Sequence, residues 1–277
     1  PKRREMRSVD GVEFDTWVYS PGRMVNGKFI LQPQVRGVPV VILFHGGPES
    51  QFRPRFMGRY NYLMSEERIA LLCPNVRGSR GYGKRHLKAD NGMSRALVMV
   101  DVQRLRNAIS ADSYFDANRI AVMGGSYGGF MTLHSMVVLN NFVKCGVDVV
   151  GISNFVTFLK NTSDYRRDLR RVEYGDERDP KMRKFLQELS PLTHVNEITR
   201  PLLIVQGAND PRVPASESEQ MEKALRKNGI ETWYLLAKDE GHGFRKQANR
   251  EYQFLATVMF FKQHLLGDPP APRKPSP

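Results

Sequence analysis

Short apolar runs alternate along this chain with stretches whose apolar residues recur every three or four positions. Val40 to Phe44, Ile69 to Cys73, Ile120 to Met123, Cys145 to Val150, Leu202 to Gln206 and Thr232 to Leu236 are continuous apolar segments of the kind expected for strands buried on both faces. Between the second and third, Val98, Val102, Leu105 and Ile109 follow the spacing of one buried helical face. Further helices are predicted from Ser216 to Asn228, ended by Gly229, and from Arg250 to Leu265. Alternation of this kind predicts an α/β fold with a mostly parallel central sheet and helices on both of its faces.

Residues 1–36 predict an N-terminal strand or hairpin lead-in, with Val12, Phe14, Trp17 and Tyr19 between turn signals at Asp10-Gly11 and Pro21-Gly22. Residues 37–266 are the expected body. Within it, the segment at about 153–199 is polar, arginine-rich and interrupted by Pro180 and Pro191, so it is expected to be an insertion over the sheet edge that shapes a substrate pocket. Residues 267–277 are proline-rich, carry nothing to build a core with, and are expected to be a flexible tail. No repeat is visible.

Composition narrows the picture only in places. At 277 residues the chain can bury one large core. Its apolar runs fall far short of the roughly 20 residues that span a bilayer, so no membrane helix is expected. The start at Pro1, with no initiator methionine and no apolar leader, reads as a trimmed or excised piece. That leaves the compartment open: the cytoplasm is favoured, with a secreted or periplasmic setting if a signal has been removed. Cys73 and Cys145 both fall in predicted strands and read as small buried hydrophobes instead of a disulfide or metal ligands. The net charge of +13 suits an anionic partner, yet no nucleic-acid-binding motif accompanies it, and Arg166, Arg167, Arg170 and Arg171 read as a solvated helix face.

The chemistry begins at Gly124-Gly125-Ser126-Tyr127-Gly128, directly after an apolar strand. A serine lifted onto a sharp strand-to-helix turn needs glycines around it, because side chains there collide with the strand and helix. Its hydroxyl is a weak nucleophile and needs a base and an orienting acid. Of the six histidines, His242 alone sits in a glycine-flanked loop after the last predicted strand, and Asp210 follows the strand Leu202 to Gln206. The order Ser126, Asp210, His242 is that of the α/β-hydrolases; Asp239 and Asp148 are weaker choices for the acid. His45-Gly46-Gly47-Pro48 follows the first core strand and offers the Gly47 N–H as one oxyanion donor, with the Tyr127 N–H as the other. Arg212 has the reach and fork geometry to hold a substrate carbonyl, or else pairs with Asp210 or the insertion. Phe155 and Val156 wall a substrate pocket or belong to the core.

With these motifs in view, the chain resembles the catalytic domain of the prolyl oligopeptidase family of serine peptidases, nearest its acylaminoacyl peptidase and dipeptidyl aminopeptidase branches. The resemblance is carried by His45-Gly46-Gly47-Pro48, Asn75-Val76-Arg77-Gly78-Ser79, Gly81-Tyr82-Gly83, the Ser126 elbow, Gly207 to Pro214, and Asp239 to Phe244. It implies an α/β-hydrolase fold, a Ser126–Asp210–His242 triad, and Arg212 on the substrate backbone next to the scissile residue. No metal or organic cofactor is implied. The family usually carries an N-terminal β-propeller that limits access and grips the peptide amino terminus; that partner domain is missing from this chain, and exopeptidase specificity is not carried over. A homo-oligomer is compatible with the resemblance.

The expected activity is therefore hydrolysis of peptide or acyl-amino-acid bonds through an acyl-enzyme. A carboxylesterase acting on short or aromatic acyl esters is the alternative, and a non-catalytic interaction domain the second. Gly78 to Arg85 nearly matches a phosphate-binding loop, but Arg85 stands where a hydroxyl is needed for Mg²⁺. Zinc hydrolysis lacks its paired-histidine motif.

Overall fold

The computed structural model describes residues 1–25, 28–31 and 36–268. Ten strands are seen: β1 (Lys2–Arg7), β2 (Glu13–Tyr19), β3 (Gly22–Val25), β4 (Lys28–Leu31), β5 (Val38–Phe44), β6 (Ala70–Pro74), β7 (Phe115–Gly125), β8 (Val143–Val149), β9 (Leu202–Gly207) and β10 (Thr232–Ala237). The helices are α1 (Asn61–Ser65), α2 (Gly83–Leu87), α3 (Val98–Ala111), α4 (Tyr127–Val138), α5 (Phe155–Asn161), α6 (Asp164–Tyr174), α7 (Pro180–Leu189), α8 (Ala215–Lys227) and α9 (Gln247–Phe261), which continues as a π-helical turn over Lys262–Leu266.

Eight strands form one sheet in the order β1-β2-β6-β5-β7-β8-β9-β10, and β3 pairs with β4 apart from it. The six strands from β6 to β10 run parallel, while β1 and β2 are antiparallel additions at one edge. Every residue of β5 is buried. Its alternation places Val40, Ile42 and Phe44 in a core with α3, α4 and α8, and Val41 and Leu43 in a second core with α1 and α9. Val98, Val102, Leu105 and Ile109 are all buried on α3. Cys73 and Cys145 are free and buried in β6 and β8, and burial pushes the Cys73 thiol up to about 12. Gly229 takes a φ of +74° just past α8, as a helix-ending glycine should.

Strand order positions the site. From β5 the chain crosses to β6 on one side, whereas from β7 it passes to β8 on the other. The carboxyl ends of β5 and β7 therefore border the crevice where connections diverge, the place where open α/β sheets bind ligands. Phe44 pairs with Gly124 across these ends, so the loop starting at His45 and the turn at Ser126 leave the sheet side by side.

The segment between β8 and β9 is mostly helical. Asn154 caps α5 by accepting from the Val156 and Thr157 N–H groups, and Asp179 caps α7 with Pro180 in its first turn. Pro191 opens a 3₁₀ segment to Glu197 that packs on α4 and α8, so these helices rise over a face beside central strands, not at an edge strand. Of the expected tail, residues 269–277 lie outside the described residues. Among the described residues no helix is long and apolar enough to cross a membrane.

Candidate active site

Ser126 joins β7 to α4 at φ 60° and ψ −119°, a conformation that L-residues rarely hold. The backbone is pinned there by the Ser126 N–H donating to the Val149 carbonyl at 2.8 Å and by the Ser126 carbonyl accepting from Gly129 and Phe130. The surrounding glycines are required by contact. A Cβ on Gly124 would lie 2.2 Å from the Gly128 oxygen, one on Gly128 2.5 Å from the Phe44 oxygen, and one on Gly129 2.3 Å from Asp148 Oδ1.

Three residues beyond the end of β9, Asp210 is buried with both oxygens engaged. Oδ1 accepts from the Arg212 and Val213 N–H groups at 2.8 and 3.0 Å, and Oδ2 pairs with His242 Nδ1 at 2.7 Å. An ionised carboxylate only accepts, so the proton sits on Nδ1 and Nε2 is left as the basic nitrogen. The His242 loop is locked to the end of β9: a Cβ on Gly207 would meet the Gly241 oxygen at 2.2 Å, and the Asn209 N–H donates to the Glu240 carbonyl. Glu240 in turn gathers the Arg245 and Lys246 N–H groups and the Asn249 amide. With β8 alone between them, the ends of β7 and β9 lie roughly 10 Å apart.

The loop after β5 comes up against the serine: a Cβ on Gly46 would stand 3.1 Å from the Gly125 oxygen and 3.5 Å from Ser126 Cβ. His45 braces it, with Nδ1 donating to the Gly46 carbonyl at 2.7 Å and Nε2 against Ser79 Oγ at 2.9 Å. Burial above all, with Arg80 adding to it, lowers this imidazole to about 4 and keeps it neutral. The Tyr127 N–H heads α4, where no intrahelical carbonyl is available to it. Gly47 has its carbonyl turned to α6, within 3.4 Å of Tyr174 Oη and 3.5 Å of Arg170 Nη1.

Arg212 is exposed, and its guanidinium has no acidic partner among the described residues. The loop carrying it is tied to the α5–α6 turn, where Thr162 Oγ1 donates to the Arg212 carbonyl at 2.7 Å and Ser163 Oγ to the Pro211 carbonyl at 2.6 Å. Phe155 and Val156 are buried in α5, with the Phe155 ring 4.8 Å from Phe130 and 5.1 Å from Tyr174. Asp239 is held by Lys246 and Asn249. Asp148 is fully buried, and among the described residues no side chain donates a hydrogen bond to its carboxyl oxygens.

Asp90, Arg95 and Tyr174, which the motifs do not single out, meet the side chain of Tyr127 behind this site. Tyr127 is buried and donates its hydroxyl to Asp90 Oδ2 at 3.2 Å, and Asp90 pairs with the fully buried Arg95 at 2.5 Å. Burial raises the Asp90 carboxyl against the pull of Arg95, and burial pushes Glu173, at the end of α6, up to about 7. Gly78, within the near phosphate-binding match, makes room for Asp90, whose carboxylate a Cβ there would overlap at 2.3 Å. Among the described residues no cluster of three His, Cys, Asp or Glu side chains has metal-binding geometry. A cavity of about 790 Å³ lined by Val18, Tyr19, Pro54, Phe56 and Met64 contains none of the residues above.

Comparison with known proteins places this geometry. The model of the prolyl oligopeptidase family matches residues 54–268. The chain belongs to that family. It is 38% identical over 233 residues to dipeptidyl aminopeptidase BIII of Pseudoxanthomonas mexicana, covering 83% of this chain and 34% of that protein. Dipeptidyl peptidase family member 6 of Caenorhabditis elegans is 36% identical over 233 residues, covering 83% of this chain and 31% of that protein. The chain thus spans about a third of the length of these relatives. Its fold superposes on a puromycin-hydrolyzing peptidase of Mycobacterium tuberculosis with a TM-score of 0.87 at 26% identity, over 100% of this chain and 41% of that one. As in the rest of the family's catalytic domains, the architecture is the α/β-hydrolase fold.

Proposed function

We propose that this chain is the catalytic part of a serine peptidase that cleaves peptide or acyl-amino-acid bonds. The observation that carries the reading is the 2.7 Å pairing of His242 Nδ1 with a buried, doubly anchored Asp210, together with a strained serine at the neighbouring carboxyl end of the sheet. In this reading Ser126 Oγ attacks the scissile carbonyl while His242 Nε2 takes its proton. The tetrahedral oxyanion is met by the Gly47 and Tyr127 N–H groups. His242 then returns the proton to the leaving amine, and water repeats the sequence in reverse on the acyl-enzyme. Asp210 keeps the imidazole in the required tautomer and stabilises its cation.

Arg212 holds a substrate carbonyl one residue from the cleaved bond, which its unpaired and exposed guanidinium favours. Phe155 and Val156 form the buried support beneath the pocket for the scissile side chain. The catalytic unit is residues 37–266, with 153–199 as the insertion covering it. Relatives named as dipeptidyl peptidases favour amide over ester substrates.

A fluorophosphonate probe tests the assignment. It is expected to label Ser126 stoichiometrically, with labelling and hydrolysis of an acyl-amino-acid anilide both lost in Ser126→Ala. His242→Ala should lower turnover by at least about 1000-fold with the fold unchanged by circular dichroism. A folded protein that neither labels nor turns over the anilide would remove the enzyme reading.

A further inference from the structure

Segments distant in sequence converge behind the two oxyanion donors. Arg95 lies in the 3₁₀ segment Gly92–Leu97 and is completely buried. Its guanidinium is stacked between two rings, 5.1 Å from the centroid of Tyr127 and 4.6 Å from that of Tyr174. Nη1 pairs with Asp90 Oδ2 at 2.5 Å, and the same oxygen accepts the Tyr127 hydroxyl at 3.2 Å. Nη2 donates to the Glu173 carbonyl at 3.1 Å. The next residue, Tyr174, turns its hydroxyl to the Gly47 carbonyl at 3.4 Å. One guanidinium thus grips the side chain of the residue whose N–H heads α4, and also the end of the helix that reaches the Gly47 loop.

A buried guanidinium is costly to desolvate, so a position that keeps one, engages it from three directions and still leaves its Nε without a hydrogen-bond partner is a strong geometric constraint. Only the planar fork can stack between two rings and donate sideways at once; a lysine ammonium carries the charge without the plane. We propose that Arg95 is a positioning residue that sets the separation of the Gly47 and Tyr127 oxyanion donors, acting through Tyr174 on one and through the Tyr127 side chain on the other. The inference rests on the serine-peptidase reading above. Donor spacing matters to the tetrahedral state and little to bound substrate, so displacement of the donors acts on kcat and leaves KM nearly untouched.

Arg95→Lys keeps the charge beside Asp90 and removes the stacked plane, while Tyr174→Phe keeps the ring and removes the hydroxyl. With an acyl-amino-acid anilide, Arg95→Lys is expected to lower kcat about 100-fold and Tyr174→Phe about 10-fold, each with KM within about threefold of wild type. A peptide aldehyde, which forms a tetrahedral adduct on Ser126, should weaken by the same factors. If Arg95→Lys does not fold, the isosteric Asp90→Asn frees the guanidinium and is held to the same comparison. Unchanged kcat and unchanged aldehyde affinity in a folded variant of an active wild type would overturn the positioning role alone. So would a rise in KM without loss of kcat. A wild type that neither turns over nor takes the fluorophosphonate label would instead overturn the underlying reading, and this one with it.

Discussion

Asp148 is a buried acid with no ion-pair partner and with only the Gly151 N–H beside it, wedged at the carboxyl end of β8 against the first turn of α4. Burial raises its carboxyl to about 8, with Glu217 adding to the shift and the Gly151 N–H opposing it. Its ordinary value is 3.8, so the folded chain holds a proton that the unfolded chain releases across that window. The stability contribution is therefore complete below about pH 4 and is lost as pH rises towards 8. Asp148→Asn keeps the shape and has no proton to lose. It is expected to stabilise the fold by on the order of 2–4 kcal/mol at pH 7.5 and by little at pH 4. Urea titrations at the two pH values check this, and an equal gain at both would rule out ionisation as the cause. Asp148 is visible in the sequence as an acid in an apolar strand, which made it an alternative partner for His242. Only the packing shows it one strand away, facing glycines.

Between elements, the decisive contacts are glycine to backbone. α4 lies so close to the end of β5 that a Cβ on Gly128 would strike both the Phe44 and His45 oxygens, at 2.5 and 2.9 Å. Gly128→Ala is expected to cost on the order of 2–4 kcal/mol and, in the catalytic reading proposed above, to abolish turnover, because the helix must lift off the loop at His45. Gly243→Ala, at φ 88° with open space around its Cβ, is expected to cost only about 1 kcal/mol. Thermal melts and anilide turnover on the pair provide the measurement. The central strands were legible because burial on both faces leaves continuous apolar runs. β7 begins at Phe115, ahead of the run at Ile120, because Phe115 pairs with Val38 across a register shift and the polar residues between hide the strand. The places of Ser126, Asp210 and His242 in turns and loops after strands were legible because glycines lie near each of them in the sequence. The link of Asp90, Arg95 and Tyr174 to the Tyr127 side chain was not, since they fall in separate segments and an arginine in an ordinary polar stretch reads as surface.

For the molecule as a whole, buried bases and buried acids act on its response to acid with opposite signs. His45 beside the β5 loop and His134 inside α4 are both lowered to about 4, burial being the larger cause in each. They stay neutral in the fold while the unfolded chain takes up protons near pH 6.5. Their stabilising contribution is present above about pH 6.5 and is withdrawn as pH falls towards 4, by on the order of 3 kcal/mol for each group. Asp148 and Glu173 change in the opposite sense over the same window, so the histidine contribution is read from the difference between wild type and a histidine variant. His134→Gln should lower the slope of stability against pH by up to about 1.4 kcal/mol per unit, and an unchanged slope would show that His134 does not contribute.

The hydroxyls of Thr162 and Ser163 reach across from the α5–α6 turn to the carbonyls that follow Asp210. The segment 153–199 is thus bonded to the backbone that follows Asp210, which limits how freely it can be exchanged. A chimera that imports another family member's segment in place of 153–199 inherits a working acid loop only if it brings hydroxyl donors at those two positions. In the catalytic reading proposed above, the segment 153–199 and the alignment of Asp210 are inherited together, and recombination at the junctions of the segment carries both.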